Sequence, residues 1–443
     1  MRKIFFILVF LLFFNIALAQ ETEPAEVIQD EEITAENLDV GDPSVLPDNP
    51  FYFAKEWWQK ANVKLFTINK AKKAEKQLKY ANQRLLEAKK LAEKGDEEAL
   101  NEALEKYDKD LEYISEKISE VGDKDSRFKN VVKNFTKNQF QHQGFFDRLS
   151  KKGGDLPEEA KERIREHQEE ALGTLSDVLS QIDKEEIEGD LEDILTEIKG
   201  SDFKGFKNLE VLKRVEEKVP EEALPAIRQA QQNALNRLKN TLSEMDPDDK
   251  EKLSEYIKNI SGDENIHFDI LEEMTSSGLD FSVLGEARKA KEEAFTKIKE
   301  KIQQMNDNQK KEYFKYFQSG EPKRIKVFQG IKEKLQEANQ NTDSLEEVTE
   351  KAVDNLKNKL QDTQDLKNMR RLQEQIEENY NLQNQLRKRD PEILDQIKER
   401  IRSQQKNQVP LKDETNQDGA GQACIQVITP ARDPETGQCK WSM

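Results

Sequence analysis

Side chains suited to metal binding or nucleophilic catalysis are scarce in this 443-residue chain, which has three histidines and two cysteines. The histidines, His142, His167 and His267, lie far apart in the sequence. So few of these residues leave no room for a zinc ribbon, a histidine-rich metal site or a Cys–His nucleophile pair. We therefore predict ordinary surface or boundary histidines, with no metal and no cofactor.

Carboxylates are abundant, and a pair of them could perform acid–base chemistry such as glycoside hydrolysis. Adjacent pairs include Glu185-Glu186 and Glu272-Glu273, but nothing in the sequence distinguishes one pair from the others. We interpret them as solvated helix faces. The sequence therefore predicts no catalytic residue, and we do not expect an enzyme.

The first residues of the chain predict export. Arg2 and Lys3 precede an apolar run over residues 4–18, and a small-x-small motif ends at Ala19. This pattern is typical of a cleaved signal peptide. The run is shorter than the roughly 20 residues that span a bilayer, although an uncleaved anchor is the alternative. We expect a secreted, periplasmic or cell-surface protein that begins near Gln20.

The two cysteines, Cys424 and Cys439, enclose a short segment with the turn-forming residues Pro430, Pro434 and Gly437. In an oxidising compartment, two such thiols are expected to form one disulfide. The predicted disulfide closes a small loop near the C-terminus.

One segment combines aromatic and basic side chains. Residues 51–94 contain twelve Lys and Arg against four Asp and Glu, a local charge of +8 in a chain whose net charge is −18. Its candidate contacts with a partner or an anionic membrane surface are Phe51, Tyr52, Phe53, Trp57 and Trp58. Aromatic and basic side chains on one helix suit such a surface or a partner groove. The alternative is that the aromatics form the core of a first helical bundle, while the lysines are solvated or pair with preceding acidic residues.

Long helices must carry these side chains, because 36% of the residues are charged and only 18 Gly and 13 Pro occur. Two successive segments place apolar residues at alternating steps of three and four, which predicts an antiparallel helix pair. The two series are Ala71, Ala74, Leu78, Ala81, Leu85, Ala88 and Ala92, and then Leu100, Leu104, Tyr107, Leu111, Ile114, Ile118 and Val121. A third series that includes Phe128, Val131 and Phe135 could close the pair into a bundle. The predicted fold class is all-α.

Beyond the bundle, the chain repeats itself about every 60 residues. A Pro-Glu-Glu-Ala motif that ends at Ala160 returns at Ala223, 63 residues later, and each copy precedes apolar residues at helical spacing. Weaker copies occur near Ala287 and Ser344. Because repeats of this kind contact mainly their neighbours, we expect an elongated, coiled-coil-like helical array.

The predicted organisation has five parts. They are a signal peptide over residues 1–19, a disordered acidic leader over 20–45, a helical bundle over 46–152, degenerate helical repeats over 153–402, and a flexible tail with the disulfide loop over 403–443. The leader is expected to be disordered because it combines low hydrophobicity with one sign of charge.

Three motifs resemble an exported prokaryotic helical family known as domain of unknown function 5667. They are the Leu-Pro-Asp-Asn-Pro-Phe-Tyr-Phe start over residues 46–53, the alanine- and leucine-rich helix over 81–88, and Val-Pro-Glu-Glu-Ala over 219–223. The resemblance extends from Ser44 to about Leu242. It implies an exported helical architecture and no particular reaction.

The expected function is that of an exported scaffold or interaction protein of the cell envelope, with an unidentified protein or envelope component as partner. One alternative is an extracytoplasmic holdase chaperone, which a broad exposed apolar surface on the repeats would favour. Another is a protein that docks onto an anionic membrane surface through the aromatic and basic first helix. The net charge of −18 argues against nucleic-acid binding, and the heptads permit self-association.

Overall fold

The structure, a computed structural model, describes residues 34–36, 38–121, 126–152, 156–182, 184–198, 203–276, 281–363 and 366–407. The predicted signal peptide, residues 20–33 of the leader, and the tail from residue 408, which contains Cys424 and Cys439, lie outside these ranges. Within them, the chain forms α-helices and one short 3₁₀ helix, and it contains no β-strand. The predicted all-α class is therefore confirmed.

Seventeen α-helices occur in the described ranges. In chain order they are α1 (Tyr52–Lys64), α2 (Lys70–Lys94), α3 (Glu97–Val121), α4 (Ser126–Lys152), α5 (Glu158–Leu179), α6 (Lys184–Glu197), α7 (Lys204–Glu216), α8 (Leu224–Glu244), α9 (Pro247–Asn259), α10 (Glu264–Thr275), α11 (Phe281–Gln303), α12 (Asp307–Tyr313), α13 (Pro322–Glu337), α14 (Asp343–Asp362), α15 (Leu366–Glu377), α16 (Tyr380–Arg389) and α17 (Ile393–Asn407). The 3₁₀ helix (Lys315–Ser319) connects α12 and α13. None of these helices combines the length and apolar composition that crossing a membrane requires.

Helices α2 and α3 form the predicted antiparallel pair. Gly95 ends α2 with a left-handed φ of 71°, a conformation that a residue without Cβ adopts at little cost. The ion pair of 3.2 Å between Lys70 and Glu120 joins the start of α2 to the end of α3. Helix α4 then packs against α2, α3 and α5 with Phe135 and Phe146 fully buried, so the third apolar series closes the bundle.

The end of the acidic leader differs from the disordered segment that the sequence predicts. Leu38 is buried in the core, and its carbonyl accepts a hydrogen bond of 2.7 Å from the Asn82 side chain. The carboxylate of Asp39 lies 3.0 Å from Lys79. One buried leucine and charge pairing with α2 thus hold residues 38–45 on the bundle, and average composition does not reveal either contact.

The repeats appear as alternating long and short helices. The equivalent helices α5, α8, α11 and α14 bury the apolar faces that the sequence predicts. The shorter helices α7, α10 and α13 contact one another in succession, and each buries a phenylalanine at the recurrent position, which is Phe206, Phe268 and Phe328 in turn. The predicted repeat architecture is therefore confirmed.

The hydrophobic core does not divide at residue 152. One cluster of buried side chains extends from Leu38 to Val348, and a second extends from Ile325 to Ile401. The bundle and the first repeats therefore share one core. The domain boundary at residue 152 stays a prediction. Helix α17 reaches Asn407, so residues 403–407 of the predicted tail are helical. Gln, Lys and Arg, which occur at the end of α17, have high helix propensity, so a helix can continue there without apolar periodicity.

Candidate functional site

Large apolar side chains are exposed mainly in one short segment. Of the eight that are exposed in the described ranges, seven lie within residues 51–68, and the eighth is Tyr380. The seven, with their exposed fractions, are Phe51 (73%), Phe53 (70%), Trp57 (68%), Trp58 (57%), Leu65 (71%), Phe66 (66%) and Ile68 (95%). We call these seven side chains the apolar patch. Clustered exposure of this kind marks interaction sites, whereas isolated exposed residues are normal.

The geometry of α1 produces most of the patch. Residues at steps of three and four share one helix face, and Phe53, Trp57, Lys60 and Lys64 follow steps of four, three and four. Helix α1 packs on α2 through its other side, where Tyr52, Gln59, Ala61 and Val63 are buried. The patch therefore covers the outward side of α1 and continues into the turn that leads to α2.

Tyr52 does not belong to this surface, because it is 4% exposed and takes part in a buried ionic network. Its hydroxyl donates a hydrogen bond of 2.6 Å to Glu87, and Arg84 donates to the same hydroxyl. Lys55 lies 2.5 Å from the other oxygen of Glu87, and the ammonium of Lys106 lies 4.4 Å from the Tyr52 ring centroid. Burial raises the pKa of Tyr52 well above its usual range. The proposed contact role of Tyr52 is thus corrected to a structural one.

The outward face of α1 is positively charged. Lys60 and Lys64 are exposed and make no ion pair with the described residues. The only acidic residue of α1, Glu56, turns inward and lies 2.8 Å from Lys106. Burial acts to raise the pKa of Glu56, but the hydrogen bond and charge of Lys106, with the charge of Arg84, lower it overall. Glu56 therefore stays ionised at neutral pH and points away from the patch.

Four of the five predicted contact residues are therefore exposed, and the alternative of an aromatic core applies only to Tyr52. Leu65 and Ile68 belong to the patch although the sequence did not single them out. Their position in the break between two helices is a usable signal, because an apolar residue there has no helix face to bury it.

Two of the three histidines are buried, unlike the boundary residues that we expected. His142 lies 2.8 Å from the Tyr107 hydroxyl through Nδ1 and 2.8 Å from Asn82 through Nε2. Burial lowers the pKa of His142 to about 3, so its imidazole is neutral. His267 Nε2 lies 3.0 Å from a Glu210 carboxylate oxygen in the core of the repeats. Both histidines satisfy buried polar partners and do not meet each other.

The third histidine lies in a different environment. His167 on α5 is hydrogen-bonded through Nδ1 to Asp108 on α3, and Glu170 lies beside them. One possible ligand atom from each of these residues lies within 4.8 Å of the others. This is the one such group of metal-binding side chains in the described ranges, and the sequence did not predict it.

The fold and these surfaces define an all-α protein of degenerate helical repeats with one exposed apolar and basic segment. The model of a family described as "Domain of unknown function (DUF5667)" matches residues 44–305, more than half of the chain. The chain therefore belongs to the DUF5667 family, as the sequence motifs predicted. No match was found among the curated proteins.

One similar solved structure is described as a "Circular tandem repeat protein with novel repeat topology and enhanced subunit contact surfaces". It is 18% identical to this chain, and the match covers 80% of this chain and 75% of that one, with a TM-score of 0.25.

Proposed function

We propose that this protein is a helical scaffold of the cell envelope that docks onto an anionic membrane surface through the apolar patch. The observation that carries the proposal is the concentration of exposed large apolar side chains within residues 51–68.

The chemistry of the patch suits the interface between lipid headgroups and acyl chains. Trp and Phe are the anchors of interfacial helices, and lysines on the same helix attract anionic lipid. Each lysine near an anionic surface contributes about 1 kcal/mol. Lys60 and Lys64 lie on the face that carries Phe53 and Trp57, and α1 directs no carboxylate outward.

The repeats support the scaffold part of the proposal. Outside the patch, Tyr380 is the only large apolar side chain that is exposed in the described ranges. A holdase needs a broad apolar surface for its clients, so these repeats give the chaperone alternative no support. The predicted signal peptide supports placement outside the cytoplasm.

The test is co-sedimentation of the chain from Gln20 onward with phosphatidylcholine vesicles, with and without phosphatidylglycerol, at low and physiological salt. We expect the protein to pellet with anionic vesicles, and to pellet less at the higher salt because screening weakens the lysine contribution. A Trp57→Ala, Trp58→Ala variant should stay in the supernatant.

Two matched controls separate the patch from general stickiness. Tyr380→Ala removes an equally exposed aromatic residue elsewhere and should still pellet. The double variant Lys323→Ala, Lys326→Ala removes two exposed lysines of α13. It should bind anionic vesicles better than the double variant Lys60→Ala, Lys64→Ala. If the wild type ignores anionic vesicles but forms dimers that the tryptophan variant does not form, the patch is a self-association surface and membrane docking is wrong.

A further inference from the structure

The packing of α3 against α5 brings together three side chains of types that bind metal ions in other proteins. His167 and Glu170 are three residues apart on α5 and so share a face, and Asp108 reaches them from α3. The side chains of His167 and Asp108 are 12% and 15% exposed, while Glu170 is exposed to solvent. An ion therefore has a direct path into the cluster.

We propose that Asp108, His167 and Glu170 form a binding site for a divalent transition-metal ion, for which Zn²⁺ is the best match. One imidazole nitrogen and two carboxylate oxygens are a ligand set that zinc accepts. Mg²⁺ and Ca²⁺ prefer oxygen ligands alone, so the imidazole favours a first-row transition metal. Three protein ligands leave one tetrahedral position for water.

An unsatisfied atom points to the same conclusion. Oδ1 of Asp108 is buried and has no hydrogen-bond partner in the part of the chain that the structure describes. Such an oxygen costs free energy unless a cation or another donor satisfies it. One carboxylate oxygen each of Asp108 and Glu170 lie within 4.8 Å of each other, and a cation between them offsets their repulsion.

The arginine one turn before His167 on α5 is already paired elsewhere. Arg163, one turn before His167 on α5, lies 3.5 Å from Glu97 and 3.5 Å from Glu159. Its guanidinium is thus paired with carboxylates outside the cluster.

The repeat also argues against a purely structural role. The positions 63 residues after His167 and Glu170 hold Ala230 and Asn233, whereas Gln168 is matched by Gln231. Packing of the repeated helix therefore does not require the histidine or the glutamate.

The test is isothermal titration calorimetry with ZnCl₂ at about pH 7.5, on the chain from Gln20 onward. Cys424→Ser and Cys439→Ser are introduced first, because free thiolates bind zinc. We expect one zinc ion per chain, and at least a tenfold loss of affinity, as an order of magnitude, in His167→Gln and in Glu170→Gln. The affinity should fall about tenfold at pH 5.5, because protons compete for His167.

The matched control is Glu166→Gln, which removes the same charge at an exposed position next to His167 and one turn before Glu170, and which should bind zinc within about twofold of the parent. Circular dichroism of each variant checks the fold. Because Glu170 is exposed, Glu170→Gln should still fold and test the site even if His167→Gln unfolds. The proposal is overturned if the parent binds no zinc, if Glu170→Gln binds it as tightly as the parent, or if Ca²⁺ binds as tightly as Zn²⁺.

Discussion

The apolar patch and the centre of the repeats distribute their side chains in opposite ways. In the patch, large apolar side chains face solvent. Between α7, α10 and α13, charged side chains are buried instead. Lys213 is 4% exposed and lies 2.8 Å from Asp269, and Arg324 is 5% exposed and lies 2.9 Å from Glu216.

The buried charges therefore have partners within the chain, whereas the side chains of the patch are left in solvent. The buried charges are paired between different repeats, which favours one register of the short helices even though such pairs add little net stability over apolar residues. The rings of Trp58 and Phe66 contact each other, but the aromatics of the patch remain exposed, and the docking proposal rests on that exposure.

The largest expected effect is the loss of a buried charge. Lys213→Met leaves Asp269 and Glu273 without their ammonium, and breaking such a pair costs about 3–5 kcal/mol. Urea unfolding followed by circular dichroism measures the change. Lys289→Met, which removes an exposed ammonium that lies 2.7 Å from Glu286, should cost far less. Equal costs would remove the distinction between buried and exposed charge.

The neighbours Tyr52 and Phe53 test the two faces of α1. Tyr52→Phe removes the hydroxyl that Glu87 and Arg84 share and should cost about 1–3 kcal/mol, because it leaves buried charged groups short of a partner. Phe53→Ala deletes a whole ring but should cost at most about 0.5 kcal/mol, because that ring is in solvent. Thermal unfolding of both variants shows which one loses more stability. A larger loss for Phe53→Ala would mean that Phe53, and not Tyr52, is on the face that packs on α2.

A pH dependence should arise at Asp110, which accepts a hydrogen bond of 2.6 Å from Gln77. Burial raises the pKa of Asp110 from 3.8 to about 7, although the charge of Arg84 opposes the shift. In the folded state, the Asp110 carboxyl holds its proton more tightly than in the unfolded state. The contribution of Asp110 therefore lowers the free energy of unfolding as the pH rises from about 4 to 7. Urea unfolding of Asp110→Asn and of the wild type measures this effect. Between pH 4.5 and 7.5, the free energy of unfolding of the variant should rise relative to that of the wild type by an amount of the order of 1 kcal/mol. A relative loss with rising pH would contradict the sign.

The smallest expected change in stability belongs to Trp57→Ala, Trp58→Ala. Both rings are more than half exposed, so the free energy of unfolding should change by at most about 0.5 kcal/mol per site, even where vesicle binding is abolished. Thermal unfolding of the lipid-free variant measures it. A loss of several kcal/mol would mean that the tryptophans are core residues and would remove the basis of the docking proposal.

Sequence periodicity was sufficient for most of the fold. The steps of three and four that include Leu78, Leu104 and Leu175 predicted helix faces that are buried, because an amphipathic helix has one apolar side to cover. The motif offset of 63 residues likewise predicted the repeated helices. Local patterns of this kind depend only on neighbouring residues, which a sequence contains in full.

The choice between the two faces of α1 was decided by tertiary structure alone. Tyr52 and Trp57 are both aromatic, and the sequence grouped them as contacts. Tyr52 is buried because its hydroxyl meets Glu87 and Arg84, which lie 35 and 32 residues further along the chain. Trp57 has no such distant partner among the residues that the structure describes and stays in solvent.

Distant pairing also explains what the sequence missed elsewhere. Leu38 lies in an acidic segment whose average composition predicts disorder, yet Asn82, 44 residues later, fixes it on the bundle. Asp108 and His167 are 59 residues apart and meet only because α3 packs against α5. The sequence by itself determined which stretches are helical and which faces are apolar. Only the packing of the helices decided which polar groups meet, because that depends on residues that the local pattern does not connect.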